Sequence, residues 1–201
     1  MPFLEDTWRS RDYLPHIDSP GLIQSITFRL ADSLPQGVLD RWSQELAGRS
    51  EADRQTAREQ RIAQWLDQGH GACHLQDRRI AELVEDALLH FDGERYRLLA
   101  WCIMPNHVHV LIETVPGHGL DSVLHSWKSF TAKEANRLLE RTGPFWQVEY
   151  HDRFIRDDAH FANATRYIEN NPVKAGLVTS GEDWRWSSAW KGRKGQAGRL
   201  E

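Results

Sequence analysis

The chain has 201 residues, 40% of them hydrophobic and nine of them tryptophan, which is enough for a folded domain with a real core. Its formal net charge of −4 argues against a non-specific coat for duplex DNA, which would be basic, but leaves room for a local nucleic-acid site. No apolar run approaches the length of a membrane span, the N-terminus lacks a secretory signal pattern, and two distant cysteines, Cys73 and Cys102, suit a reducing compartment without disulfides.

Residues 1–20 read as irregular, punctuated by Pro15, Pro20 and Gly21. Leu22 to Leu30 reads as a strand with Leu22, Ile26, Phe28 and Leu30 on one face. Residues 36–92 follow as a helical insertion. Val38, Leu39, Trp42 and Leu46 form one apolar stripe, and Ile80, Leu83, Val84, Ala87 and Leu88 form another. Glu51 to Gln60 between them is polar and reads as a solvated helix, broken by Gly69-His70-Gly71. His70, Cys73 and His74 lack a second ligand pair at zinc spacing and read as a loop.

Tyr96 to Met104 is a second strand, and Pro105-Asn106 makes a tight connection into Met104-Pro105-Asn106-His107-Val108-His109-Val110-Leu111-Ile112. Residues two apart on a strand share a face, so His107, His109, Leu111 and Glu113 fall together, and Val108, Val110, Ile112 and Thr114 face the core. Two imidazoles about 6–7 Å apart at their backbones can converge on one metal ion. A long helix follows, with Leu120, Val123, Leu124, Trp127 and Phe130 as its stripe and Gly143-Pro144 as its stop. Its other face carries Lys128, Lys133, Asn136 and Arg137. Phe145 to Ile155 reads as a further strand leading to Arg153 and Arg156, and Asp157 or Asp158 caps the next helix.

In that helix Phe161, Ala164 and Ile168 mark a buried stripe, and Tyr167 and Asn171 sit four apart beside it. Pro172 is expected to end the helix near Asn171. A basic, Gly-rich tail is expected over residues 191–201, after one domain over 1–190. The order of elements predicts an α+β fold with one largely antiparallel sheet.

Taken in order, Leu14-Pro15-His16, Thr27-Phe28-Arg29-Leu30, Met104 through Ile112, Trp127-Lys128-Ser129-Phe130, Phe145-Trp146-Gln147, Asp152 through Arg156, Tyr167 through Val178 and Trp184 through Ser188 resemble the single-tyrosine HUH transposases. The wording is nearest to the branch associated with repetitive extragenic palindromes (REP). The resemblance implies a ferredoxin-like, RRM-like antiparallel sheet with helices packed on one face. It implies a single-stranded DNA transposase that cleaves and rejoins REP-type hairpins. Tyr167 would be the nucleophile, forming a 5′-phosphotyrosine, and His107, His109 and Asn171 would hold Mg²⁺ or Mn²⁺. Relatives often carry a longer Gln at the position of Asn171.

Lys128, Lys133, Arg153, Arg156 and Lys174 are the expected phosphate contacts, from their placement around the two motifs. Tyr150 is the rival nucleophile. The expected setting is the cytoplasm, at the bacterial nucleoid, as a monomer or homodimer. Two other readings stay open: a non-catalytic module for structured single-stranded DNA or RNA, and a histidine-triad hydrolase. The second is disfavoured because Leu111 stands where a third histidine is needed.

Overall fold

The computed structural model describes residues 7–11, 14–18 and 21–194, with side chains described for 21–192. The expected tail therefore falls mostly on 195–201, outside the described residues, and Lys191–Lys194 form a short helix, α6. Within 1–20, two short strands, β1 (Thr7–Arg11) and β2 (Leu14–Asp18), pair antiparallel where an irregular segment was expected. The segment lacks the apolar alternation that announces a strand, and Pro15 is compatible with a two-stranded ribbon, where each strand has a free edge.

The main sheet has four antiparallel strands: β3 (Ile23–Arg29), β4 (Tyr96–Ile103), β5 (His107–Thr114) and β6 (His151–Phe154). Their spatial order is β4-β5-β3-β6. With α3 (Arg78–Leu89) after β3 and α4 (Leu120–Leu138) after β5, the order of elements is βαββαβ, the ferredoxin-like arrangement. Helices α1 (Gln36–Glu45) and α2 (Glu51–Asp67) are the insertion after the first sheet strand, and α5 (Asp158–Lys174) follows the last.

Period-two alternation decides what each sheet face buries. Ile26 and Phe28 of β3, Val108, Val110 and Ile112 of β5, and Trp101 and Ile103 of β4 pack with Ile80, Val84 and Leu88 of α3 and Val123, Leu124 and Trp127 of α4. Phe130, expected in the α4 stripe, is instead 52% exposed; Thr131 and Ala135 continue the buried face, one turn and two turns on from Trp127. Polar atoms inside this layer are linked in series. The Trp127 indole donates to Tyr96 Oη (2.9 Å), which donates to the Leu88 carbonyl (2.8 Å). The Trp146 indole donates to Thr131 Oγ1 (2.8 Å).

The other face carries His107, His109, Thr27 and Arg29, with α5 packed over Ala100, Cys102 and Leu111 through Phe161, Ala164 and Ile168. Pro172 does not stop α5. It lies inside the helix, which runs on to Lys174 and ends in a C-terminal cap. Leu177 N–H bonds to the Pro172 carbonyl (2.8 Å) and Gly176 N–H to the Val173 carbonyl (2.9 Å), with Gly176 at φ +70°. That pair of bonds needs a left-handed residue, so Gly176 is the stop signal.

The strand expected over Phe145 to Ile155 is shorter. Trp146 forms a bridge with Leu30, then the chain leaves the sheet with Val148 78% exposed, and pairing resumes only at β6. Tyr150 turns toward α4, where its hydroxyl bonds to Asp121 Oδ1 (2.8 Å). The free edge of β4 is covered by the last segment: Ser187 bridges Cys102, and Ile103 N–H donates to the Trp186 carbonyl. No helix of the described residues is long and apolar enough to cross a membrane.

Candidate active site on the histidine face

The β3–β5 register sets Thr27 beside His109 and Arg29 beside His107, so one row of side chains crosses the sheet from β5 into β3. The two histidines share a face, as the strand alternation predicted, and both are buried there. Their Nε2 atoms are 2.9 Å apart, and each Nδ1 is held from behind: His107 by Asn106 Oδ1 (2.7 Å), His109 by Thr27 Oγ1 (2.8 Å).

Asn106 fixes the proton on His107. Its Nδ2 donates to the His70 carbonyl (2.9 Å), so the atom facing His107 is the amide oxygen, which only accepts. Nδ1 of His107 therefore carries the proton and Nε2 presents a lone pair toward His109. The loop around His70 thus orients the site from outside it. Gly71 lets that loop sit close: at φ +90°, a Cβ there would lie 3.0 Å from the Asp32 carbonyl. His70 itself stacks on Trp65, and Cys73 Sγ bonds to the Gly69 carbonyl, so this stretch is the loop that the ligand spacing indicated.

Burial is the main force on both imidazoles. It holds His107 well below the usual imidazole range, helped by His109 and Lys174. It lowers His109 to about 3, helped by Lys174 and His151. Both rings are neutral at pH 7, the state in which imidazole binds a metal.

Tyr167, on α5, brings its ring to 5.6 Å from that of His109, edge to face, and is 42% exposed. Burial raises its phenol above the ordinary value; Lys174 and a hydrogen bond from Asn171 act the other way, and Asp67 adds to the rise. Lys174 Nζ lies 5.4 Å from the Tyr167 ring and pairs with Asp67 (2.7 Å). Asn171 is fully buried; its Nδ2 donates to the Tyr167 carbonyl (2.8 Å), while its Oδ1 is buried without a hydrogen-bond partner. Among the described residues no group of three His, Cys, Asp or Glu could hold a metal ion. Two facing imidazole nitrogens and an orphaned amide oxygen nonetheless fit a hard divalent cation that keeps water and phosphate in its remaining positions.

The structure thus gathers His107, His109, Tyr167, Asn171 and Lys174 on one face. It treats the other expected cations differently. Arg153 lies on β6 and pairs with Glu59 of α2 (3.0 Å), which also meets His151 (3.4 Å). Arg156 lies beyond β6 with its guanidinium 5.6 Å from the Phe154 ring. Lys133 is exposed on α4, the helix of the opposite face. Lys128 donates to the Val148 carbonyl (2.6 Å) and is lowered to about 8 by burial, with Glu149 opposing and Arg29 adding to the shift. Sequence reasoning missed Asn106, read only as a turn residue, and Thr27 and Arg29. Their roles come from a strand pairing across about 80 residues, which no local pattern announces.

A family model described as Transposase IS200 like matches residues 76–171. A protein of Haemophilus influenzae assigned provisionally as a REP-associated tyrosine transposase is 31% identical over 103 residues, 46% of this chain and 58% of its own length. The REP-associated tyrosine transposase of Escherichia coli K12 is 26% identical over 108 residues, 53% of this chain and 63% of its own length. Each alignment therefore spans less than two thirds of the curated relative. A solved structure described as a REP-associated tyrosine transposase bound to a REP hairpin superposes with a TM-score of 0.54 at 18% identity, over 94% of this chain and 86% of that one. At that identity the likeness concerns the fold, and it agrees with the open antiparallel sheet, its packed helices and the insertion after β3.

Proposed function

We propose that the chain is a REP-associated, IS200-like tyrosine transposase and that it cleaves and rejoins single-stranded DNA beside a REP-type hairpin by transesterification at Tyr167. The observation that carries this reading is the convergence of the His107 and His109 Nε2 atoms, 2.9 Å apart, with the Tyr167 ring set against His109 on the same sheet face.

Tyr167 Oη attacks the scissile phosphorus. The O–P bond forms as the P–O3′ bond breaks; the phenolic proton leaves and the 3′ oxygen gains one. The products are a 5′-phosphotyrosine and a free 3′-hydroxyl, and attack by that hydroxyl or another reverses the step without net hydrolysis. Packing of α5 on Leu111 and Ala100 holds the phenol over the histidine row, which is the orientation a one-atom displacement requires. Because burial keeps the phenol protonated at neutral pH, the nearby cation of Lys174 supports the charge that develops on its oxygen. His107, His109 and Asn171 Oδ1 would hold Mg²⁺ or Mn²⁺, which when bound supplies polarisation of the non-bridging phosphate oxygens. Lys128, Lys133, Arg153, Arg156 and Lys174 are proposed to contact the DNA backbone; Arg153 and Lys174 exchange Glu59 and Asp67 for phosphate when they do so.

Incubation with an end-labelled single-stranded hairpin and Mg²⁺, resolved on a denaturing gel, tests the reading. The wild type should yield a shortened strand and a covalent species, and His107→Ala or excess chelator should remove both while hairpin binding persists. Undiminished cleavage in either case contradicts the metal assignment. Tight binding with no cleavage by the wild type would favour the non-catalytic binding module.

A further inference from the structure

Arg29 is a half-buried cation that the reaction does not use. It ends β3 as the direct antiparallel partner of His107, so its side chain starts on the histidine face. Its Nη1 is buried and has no hydrogen-bond partner, and among the described residues Arg29 makes no ion pair. A buried, unsatisfied N–H of a charged group has lost its water without gaining a hydrogen bond, so such a group calls for a partner that the free protein does not supply. Its surroundings increase the cost. Burial and the neighbouring Arg58 lower its pKa to about 10, and it in turn lowers that of Lys128. The backbone ties these cations together. The Arg29 carbonyl accepts from Gln147 N–H (2.9 Å), the next carbonyl along, that of Val148, accepts from Lys128 Nζ, and Arg58 precedes the Glu59 that is anchored on β6. Glu149 is the carboxylate that faces Lys128.

We propose that Arg29 is an anchor for a phosphodiester, receiving on its open N–H fork a non-reacting backbone phosphate of the DNA strand next to the one cleaved, with Lys128 and Arg58 flanking it. The assignment rests on the transposase reading for its source of phosphate. The chemistry fits: a planar guanidinium with a free donor binds a phosphate through two parallel bonds, and the phosphate's negative charge offsets the repulsion of Arg29 by its neighbours Arg58 and Lys128. A structural cation would instead be paired with a protein carboxylate.

The test uses the full chain without metal, in chelator. Wild type, Arg29→Gln, Arg29→Lys and the surface control Arg78→Gln are melted with pyrophosphate or with chloride at equal ionic strength. Each is also titrated with a labelled single-stranded oligonucleotide across a salt series. The wild type and Arg78→Gln should gain melting temperature from pyrophosphate. Arg29→Gln should melt no lower than the wild type in chloride, gain nothing from pyrophosphate, bind the oligonucleotide about tenfold more weakly, and lose about one unit of salt slope. Arg29→Lys should keep the salt slope without recovering the affinity. Wild-type affinity, slope and pyrophosphate response in Arg29→Gln overturn the proposal, as does a lower melting temperature with DNA binding intact. If Arg29→Gln does not fold, the same unchanged readings in Arg29→Lys overturn it. A wild type that gains from pyrophosphate through Arg29 but ignores DNA keeps the anion site and removes the transposase reading. An Arg29→Gln variant that binds the oligonucleotide and, in a separate assay with Mg²⁺, cleaves the hairpin at the wild-type level keeps the transposase reading and removes the anion site.

Discussion

The two faces of one sheet are built from alternate residues of the same strands, and they differ in what they bury. On the α3/α4 face, Phe28, Val108 and Val110 are in contact with helix side chains, and the aromatic polar atoms close a series of bonds from Trp127 through Tyr96 to Leu88. On the histidine face, two imidazole Nε2 atoms meet at 2.9 Å, and Asn171 Oδ1 and Arg29 Nη1 are buried without hydrogen-bond partners. A one-residue step along β3 or β5 moves a side chain from the first regime to the second. The difference teaches that the apolar face carries the stability, while the histidine face holds the buried polar atoms for which a cation and an anion are proposed above.

The largest effect expected is on the apolar face. Phe28→Ala removes a ring packed against Trp127 and Trp146 and should cost about 3–5 kcal/mol in urea unfolding. A loss under about 1 kcal/mol would break the division between the faces. Next comes Asn106→Ala. It frees His107 to take either tautomer and should weaken Mn²⁺ binding by about 10–100-fold, measured by calorimetry, with a much smaller change in unfolding. Smaller again is Gly176→Ala, which forces a left-handed cap on a side chain and should cost about 1 kcal/mol while Tyr167 keeps its place. The smallest effect is on α2. Glu59→Gln releases Arg153 and His151 from a partly exposed carboxylate and should tighten single-stranded DNA binding by up to about fivefold, read by anisotropy at low salt. Weaker binding would show that α2 serves as a scaffold for the cations and does not compete with phosphate.

What was legible in the sequence follows the same division. Alternation in β3 and β5 was enough to assign Ile26, Phe28, Val108 and Val110 to the core and His107 with His109 to the opposite face, because period two is a local property. The partners of those histidines were not legible. Asn106 looks like a turn residue until the His70 loop orients its amide, and Thr27 and Arg29 are placed by long-range register. Pro172 misled because its missing N–H falls in the last turn of α5, where the Gly176 cap carries the ending. Phe130 misled because the α4 stripe follows Thr131 and Ala135, residues too small or too polar to announce a core. Glu59 lies in the stretch read as a solvated helix and instead pairs with Arg153, and Asp67 of the same helix pairs with Lys174.

The central claim is that Tyr167 is the group that becomes bonded to DNA, and the measurement that tests it most directly is mass-spectrometric mapping of the protein–DNA adduct formed on a hairpin substrate with Mg²⁺. The account predicts a phosphonucleotide on the peptide containing Tyr167, its disappearance in Tyr167→Phe with hairpin binding retained, and its persistence in Tyr150→Phe, since the Tyr150 hydroxyl bonds to Asp121 on the other side of the sheet. An adduct on Tyr150, or one that survives in Tyr167→Phe, would contradict it.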